Sequence, residues 1–182
     1  PDGITFYPRQ AGIQRAYLPQ DSPLDAPPFT INELGATTRS GQVLHATREY
    51  GKGVNRTIYR AYTNQGALKL REEYPSHTVT YDPPLREYPR HDALALGARW
   101  SGQTTATLRF PQRDLVEQVD VQYTYTVVDK RLVSVNNAQV EVFVITLEAT
   151  DPTNPHTELN QELWFAPYLG LVRTPEGLYL VD

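Results

Sequence analysis

The chain has 182 residues, of which 40% are hydrophobic and 21% charged, and its formal net charge is -4. These proportions are typical of a folded globular protein and exclude an intrinsically disordered one. Arg and Lys are scattered among Asp and Glu, so the sequence has no basic stripe of the kind that binds nucleic acid. The absence of cysteine excludes disulfides and thiolate metal sites, and no run approaches the ~18 apolar residues that a membrane helix needs.

In the first half of the chain, β-branched and aromatic residues recur in short runs that Gly, Pro and Asn interrupt, which is typical of strands. Asn64 and Gly66 lie between two of these runs and suit a hairpin turn. Two proline-rich stretches, 19–28 and 83–89, predict connections because Pro can continue neither a helix nor a sheet ladder. The predicted strands cover residues 12–18, 29–39, 42–50, 54–62, 67–74 and 77–81.

The second half contains the clearest strand pattern. Over residues 119–127, Val and Tyr alternate with polar residues, which is the period of a strand with one buried face and one wet face. Residues 140–147 are apolar on both faces and predict a central strand that is covered on both sides. Asn136-Asn137 lies between these segments and tolerates the positive φ of a tight turn, so the two strands are predicted to pair antiparallel.

No long segment has the spacing of apolar residues that an amphipathic helix requires, and the best candidate, 89–96, is only a short turn. We therefore predict an all-β fold with little helix, in which residues 1–182 form a single domain. The segments that begin at Gly12 and Gly97 are weakly similar. This similarity raises the alternative of two similar halves that meet near 83–96.

The sequence contains no recognisable catalytic or metal-binding pattern. Glu72 and Glu73 are adjacent, and adjacent residues of a strand point to opposite faces, so they predict a solvated strand end and not a catalytic pair. Residues 151–156 lack the ligand spacing of a calcium loop and predict a hairpin connection. No serine stands in a nucleophile elbow. We therefore predict a non-enzymatic protein with no metal and no cofactor. The four histidines, none at the spacing of a shared metal site, are His45, His77, His91 and His156.

Aromatic residues are the most informative group, because the chain has 12 Tyr and 2 Trp. A tyrosine ring combines apolar area with a polar tip, so it suits both the rim of a core and a binding surface. Tyr123 and Tyr125 are in register with neighbouring valines, which favours a core position over a ligand pocket. Both interpretations stay open at this point. The candidate ligand-binding residues are Trp100, Tyr123, Tyr125 and Trp164.

Three stretches carry a family resemblance. They are Phe6-Tyr7-Pro8 with Gly12 and Tyr17, residues 81–85 followed by 96–100, and residues 163–173, which contain the motif W-[YF]-A-P-x-x-G-L-V-[KR]. In these stretches the chain resembles uncharacterised families of bacterial extracytoplasmic β-proteins and lipoproteins. It departs from them at 135–140, where those families commonly have a P-A-G-x-[FY] turn. The resemblance implies a curved antiparallel sheet or half-barrel, similar to the lipoprotein carriers LolA and LolB.

From these features we expect a non-catalytic protein of the periplasm or cell envelope that binds a hydrophobic ligand, a lipoprotein segment or an envelope protein. One alternative is a structural or interaction subunit of an envelope complex that holds no small ligand. Another is a hydrolase whose site the sequence does not reveal. Because the sequence begins at Pro1 and not at Met, we also expect a signal peptide or a lipid-anchored residue upstream of it.

Overall fold

The computed structural model describes residues 5–182, except for the side chain of Pro155. It contains two short 3-10 turns, His91–Ala93 and Pro111–Arg113, and no α-helix within the described residues. The expectation about a segment upstream of Pro1 lies outside the described residues. The strands are β1 Gln14–Leu18, β2 Phe29–Arg39, β3 Gln42–Gly51, β4 Val54–Thr63, β5 Gly66–Glu73, β6 Thr78–Tyr88, β7 Arg99–Phe110, β8 Leu115–Val135, β9 Ala138–Asp151, β10 Asn154–Ala166, β11 Gly170–Arg173 and β12 Tyr179–Leu180.

The twelve strands form one closed barrel. Each strand pairs antiparallel with the next one in sequence, and β12 returns to pair with β1, where Tyr17 lies opposite Leu180. This up-and-down connectivity confirms the prediction of an all-β fold. The sheet closes on itself, however, instead of remaining the open curved sheet or half-barrel that was expected. Pairing between the first and last strands is not visible in any local pattern.

Local patterns predict β8 and β9 well. β8 contains the predicted strand 119–127, and its hairpin with β9 turns at Asn136 and Asn137, whose φ angles of 49° and 65° lie in the left-handed region. Val144 and Ile145 are neighbours on opposite faces of β9, and both have 0% of their surface exposed. This burial confirms that the middle of β9, residues 142–145, is covered on both sides.

β6 contradicts the prediction that residues 83–89 form a connection. The strand runs through Pro83 and Pro84 without a break. It pairs with β7 over 78–82, and its pairing with β5 shifts register beside the two prolines. In this part of the described barrel, no ladder hydrogen bond requires an N–H from either proline, so both are tolerated inside the strand.

The two ends of the barrel differ. At one, which we call the plugged end, the N-terminal segment crosses the mouth and buries Tyr7 against the rings of Tyr88 and Phe165, at centroid distances of 5.2 and 5.5 Å. The Tyr7 hydroxyl donates a hydrogen bond of 2.5 Å to the carbonyl of Pro89. At the other, which we call the arm end, the β7–β8 hairpin projects into solvent, and residues 111–120 are all exposed.

The inside of the barrel has two chemically different halves. The half formed by β7–β10, together with Tyr7, is aromatic and aliphatic, whereas the half formed by β1–β6 carries charged side chains in ion pairs. A candidate site therefore lies where the two halves meet. The buried residues of the apolar half and its neighbours are Tyr7, Leu85, Leu94, Trp100, Tyr123, Tyr125, Val127, Phe143, Ile145, Leu163 and Phe165.

Candidate ligand site inside the barrel

Three of the four candidate ligand-binding residues lie together in the apolar half. Trp100, Tyr123 and Tyr125 are 5 to 6% exposed, and the rings of Trp100 and Tyr125 stack at 5.3 Å. The backbone of Arg86 satisfies two of their polar atoms, because its amide donates to the Tyr123 hydroxyl at 2.9 Å and its carbonyl accepts from Trp100 Nε1 at 3.2 Å. Trp100 and Tyr123 therefore build the core, and Tyr125 also lines the interior cavity described below.

Trp164 lies apart from these three. Its neighbours Leu163 and Phe165 point into the barrel, so alternation turns Trp164 to the opposite face of β10. There its ring contacts Tyr179 at a centroid distance of 5.6 Å, and the Arg131 guanidinium lies 5.5 Å from its centre. The structure therefore does not bring Trp164 together with the other candidates.

The charged half of the interior is the feature that the sequence analysis missed. Its side chains form four ion pairs, of which three join different strands and one lies within β5. The alternation of Arg60 with Tyr59 and Ala61 along β4 was a signal for it, but such a pattern normally assigns the charged face to solvent. The pairs are Arg15–Glu33 at 2.8 Å, Arg56–Glu49 at 3.1 Å, Arg60–Glu87 at 2.6 Å and Lys69–Glu72 at 2.7 Å.

The prediction for the adjacent carboxylates Glu72 and Glu73 is half correct. They do point to opposite faces, since Glu73 pairs outside the barrel with Arg39 and Arg71, each at 2.9 Å. Glu72, however, is 5% exposed and accepts a hydrogen bond of 2.8 Å from the Tyr74 hydroxyl. It belongs to the charged interior and not to a solvated strand end.

The interior charges are fixed at neutral pH. Burial alone would raise the pKa of Glu72, but Lys69 and the Tyr74 hydroxyl lower it to about 2. Burial alone would likewise lower the pKa of Lys69, but Glu87 and Glu72 raise it above its ordinary value. The pKa of Glu87 is also below its ordinary value, because Arg60 and Lys69 outweigh the effect of burial. These groups therefore act as permanent ions that stabilise one another.

A cavity of about 210 Å³ separates the charged half from the apolar half. Arg60, Glu87 and Lys69 border it, and each retains 16 to 18% of its side-chain surface although it points inside the barrel. The volume exceeds the ~150 Å³ that is enough for a benzene ring in an engineered protein cavity. A smaller cavity of about 70 Å³ adjoins it towards the plugged end. The apolar lining of the larger cavity is Ile31, Ile58, Tyr88, Tyr125, Leu147, Leu163 and Leu171.

An apolar strip leads from this cavity towards the arm end. Leu159, Ala149 and Tyr123 lie opposite one another on β10, β9 and β8, so their side chains share the inner face. Alternation along β8 places Val121 and Val119 on the same face. Leu159 is 46% exposed and Val119 36%, although both face inwards. We call Val119, Val121, Ala149 and Leu159 the apolar strip.

The four histidines do not converge. His45 lies inside the barrel against Tyr62 at 5.3 Å, and His77 stacks on Tyr74 at 4.4 Å near the arm end. Within residues 5–182, no group of three His, Cys, Asp or Glu side chains is arranged to hold a metal ion. Over the same residues, no helix is long and apolar enough to cross a membrane.

A scan against protein-family models gave no match, and searches of curated proteins and of solved structures found no similar protein. The features of the molecule that bear on function are the cavity and its walls. One wall of the cavity carries paired charges, and the other is lined by aliphatic and aromatic side chains. The apolar strip adds exposed apolar side chains beside them. Such a combination suits noncovalent binding of a molecule that has a polar part and an apolar part.

Proposed function

We propose that this protein is a non-catalytic binding protein of the cell envelope that holds an amphiphilic or hydrophobic small molecule inside its barrel. The observation that carries the proposal is the cavity of about 210 Å³, which the apolar strip connects with the arm end. The resemblance to extracytoplasmic β-proteins and lipoproteins supports the location.

Cavity and strip form a continuous surface. Leu147 and Gln161 line the cavity, and each lies two positions from a member of the strip on the same strand face. The cavity is smaller than the ~300 Å³ at which ordinary ligand pockets begin. We therefore place the polar part of the ligand in the cavity and its apolar chain along the strip, where it would cover Leu159 and Val119.

Filling the cavity tests this proposal. Leu147→Trp and Gln161→Trp add bulk to the cavity, whereas Thr146→Trp and Asn160→Trp add the same bulk on the opposite faces of the same strands and serve as matched controls. The neutral dye N-phenyl-1-naphthylamine, excited directly, reports binding by its gain in emission. We expect the controls to bind the dye like the native protein and the cavity variants to lose binding. Equal binding by all five proteins, with melting curves that show folding, would contradict the proposal.

A second candidate function, an interaction subunit, is favoured by the edge of β8. Over 115–121 this strand pairs with β7, and its pairing with β9 begins only at Gln122. Among the described residues this edge has no strand partner, and Val116 beside it is 54% exposed. Exposed edges of this kind pair with strands of other chains.

Charged substitutions on this edge test the second candidate. Val116→Lys with Val119→Lys should abolish a complex that forms through β8, whereas Val128→Lys, at a position that is 50% exposed elsewhere on the strand, should preserve it. Native mass spectrometry of protein from its natural source measures the complex. A complex that survives the double substitution is not formed through this edge.

A further inference from the structure

The charged wall of the cavity restricts the chemistry of the ligand. Building on the function proposed above, we infer that the ligand has a head group of zero net charge, either uncharged and polar or zwitterionic. The inference concerns the same cavity. It depends on the balance of charge in the cavity wall, whereas the proposed function does not depend on that balance.

Each cation of the wall already has a carboxylate partner. Arg60 Nε lies 2.6 Å from Glu87, Lys69 Nζ lies 2.7 Å from Glu72, and Arg56 lies 3.1 Å from Glu49. The three cations are thus matched by three carboxylates. Glu176 lies 3.7 Å from Arg56 with 43% of its side chain exposed, and it adds a negative charge at the arm end.

A charged head group would therefore enter the larger cavity without a buried partner that is free. Within the larger cavity, a carboxylate or phosphate ester could pair with Arg60 or Arg56 only by displacing Glu87 or Glu49, and that would leave the displaced carboxylate buried without a counter-ion. A cationic head group would have to displace Arg60 or Lys69 in the same way, or pair with the 43% exposed Glu176, where solvent weakens an ion pair. Burying an unpaired ion is strongly unfavourable, so both kinds of head group are disfavoured.

Uncharged groups remain available in the same cavity. The hydroxyls of Tyr88 and Tyr125 and the amide of Gln161 line it, and within residues 5–182 none of these three side chains makes a hydrogen bond to another residue. Burial raises the pKa of both tyrosines, so their hydroxyls stay protonated and can donate. Hydroxyl and amide groups recognise hydroxyls, esters and amides through neutral hydrogen bonds.

A series of head groups on one chain tests the inference. Glycerol monolaurate, dodecylphosphocholine, dodecanoate and dodecyltrimethylammonium, each below its critical micelle concentration, compete for bound N-phenyl-1-naphthylamine. We expect the first two to compete at least about tenfold more tightly than the two ions. Dye that is displaced equally well by an ion would overturn this inference and leave the proposed function intact. A protein that binds neither the dye nor any of the four contradicts the proposed function itself.

Single substitutions test whether the charge balance is the cause. Glu87→Gln leaves Arg60 without its carboxylate, so dodecanoate should gain about tenfold in affinity. The control is Glu73→Gln, which lies outside the barrel on the neighbouring strand β5 and should leave the affinity for dodecanoate unchanged. Lys69→Met removes a cation and should shift the binding preference towards dodecyltrimethylammonium. This second variant still tests the inference if Glu87→Gln does not fold. Unchanged preferences in folded Glu87→Gln and Lys69→Met proteins would overturn the inference.

Discussion

Lys69 and Glu72 lie three positions apart on β5, yet Lys69 Nζ is 2.7 Å from Glu72 Oε1. Residues at this separation on a regular strand point to opposite faces. The pairing of β5 with β4 and with β6 shifts register between Lys69 and Arg71, and Leu70 is the extra residue of this β-bulge. The bulge turns both side chains inwards, so one inserted residue creates part of the charged wall.

Removing the cation of this pair should destabilise the barrel. In Lys69→Met, Glu72 and Glu87 keep their charges but lose a shared partner, and breaking a buried ion pair on one side costs about 3–5 kcal/mol. Urea unfolding at neutral pH measures the loss. Lys130→Met is the matched control, because Lys130 pairs with Glu141 at 3.2 Å on the surface with 42% of its side chain exposed, and its loss should cost about 1 kcal/mol or less. Equal costs would refute the structural importance of the interior pair.

Stability should depend on pH through Glu72. Its pKa falls from an ordinary 4.5 to about 2 in the folded protein, so its contribution is complete above about pH 5 and is lost as the pH falls towards 2. This contribution is on the order of 3 kcal/mol at most. The difference in unfolding free energy between native protein and Glu72→Gln should therefore be largest at neutral pH and shrink across this range. A difference that does not change with pH would show that Glu72 is not held ionised by its partners.

Tyr7 should anchor the plugged end. Tyr7→Phe loses only the hydrogen bond to the Pro89 carbonyl and should cost about 1 kcal/mol, whereas Tyr7→Ala also removes the buried ring and should cost about 3–5 kcal/mol. Tyr168→Ala, at the same end but with 58% of the residue exposed, should cost less than Tyr7→Ala. Chemical unfolding of the three variants measures the loss of unfolding free energy in each and so tests the predicted order of these losses. A Tyr7→Ala variant as stable as Tyr168→Ala would mean that the segment does not close the barrel.

The two tryptophans should respond differently to replacement by Phe. Trp100→Phe leaves the Arg86 carbonyl without its donor and also weakens the stack on Tyr125. Trp164→Phe removes an Nε1 group that is buried and has no acceptor among the described residues. An unsatisfied buried polar group costs about 1–3 kcal/mol, so Trp100→Phe should be the more destabilising change by at least about 1 kcal/mol. Thermal unfolding of the two variants checks the order, and the reverse order would contradict these hydrogen-bond assignments.

Local signals explain how much of the fold could be predicted. The alternation over 119–127 and the turn at Asn136-Asn137 depend on neighbouring residues, so β8, β9 and their pairing were predicted. Closure depends on the number and tilt of all strands, and β12 has only the two residues Tyr179–Leu180. The prolines of β6 wrongly predicted a connection, because the effect of a proline depends on whether a partner strand needs an N–H group at its position.

The candidate site could be predicted less well than the fold. Tyr125 was identified as a candidate and does line the cavity, since its register with Val121 and Val127 indicates the inner face. Arg60 was missed, because a charged residue that alternates with apolar ones is normally assigned to solvent. On β4 the opposite holds: Tyr59 and Ala61 are buried on the outer face in a separate cluster, and Arg60 points inside. The inserted Leu70 is a second reason why the charged half of the interior was not predicted, because a bulge cannot be located from alternation alone.

The most direct test of the central claim is native mass spectrometry of the protein purified by gentle extraction from its natural source. We predict one amphiphilic molecule with no net charge on each barrel, released when the cavity is filled by Leu147→Trp and retained in Thr146→Trp. A bare barrel of the mass expected for the protein alone, or a protein complex without any small molecule, would contradict the claim that the cavity is a ligand site.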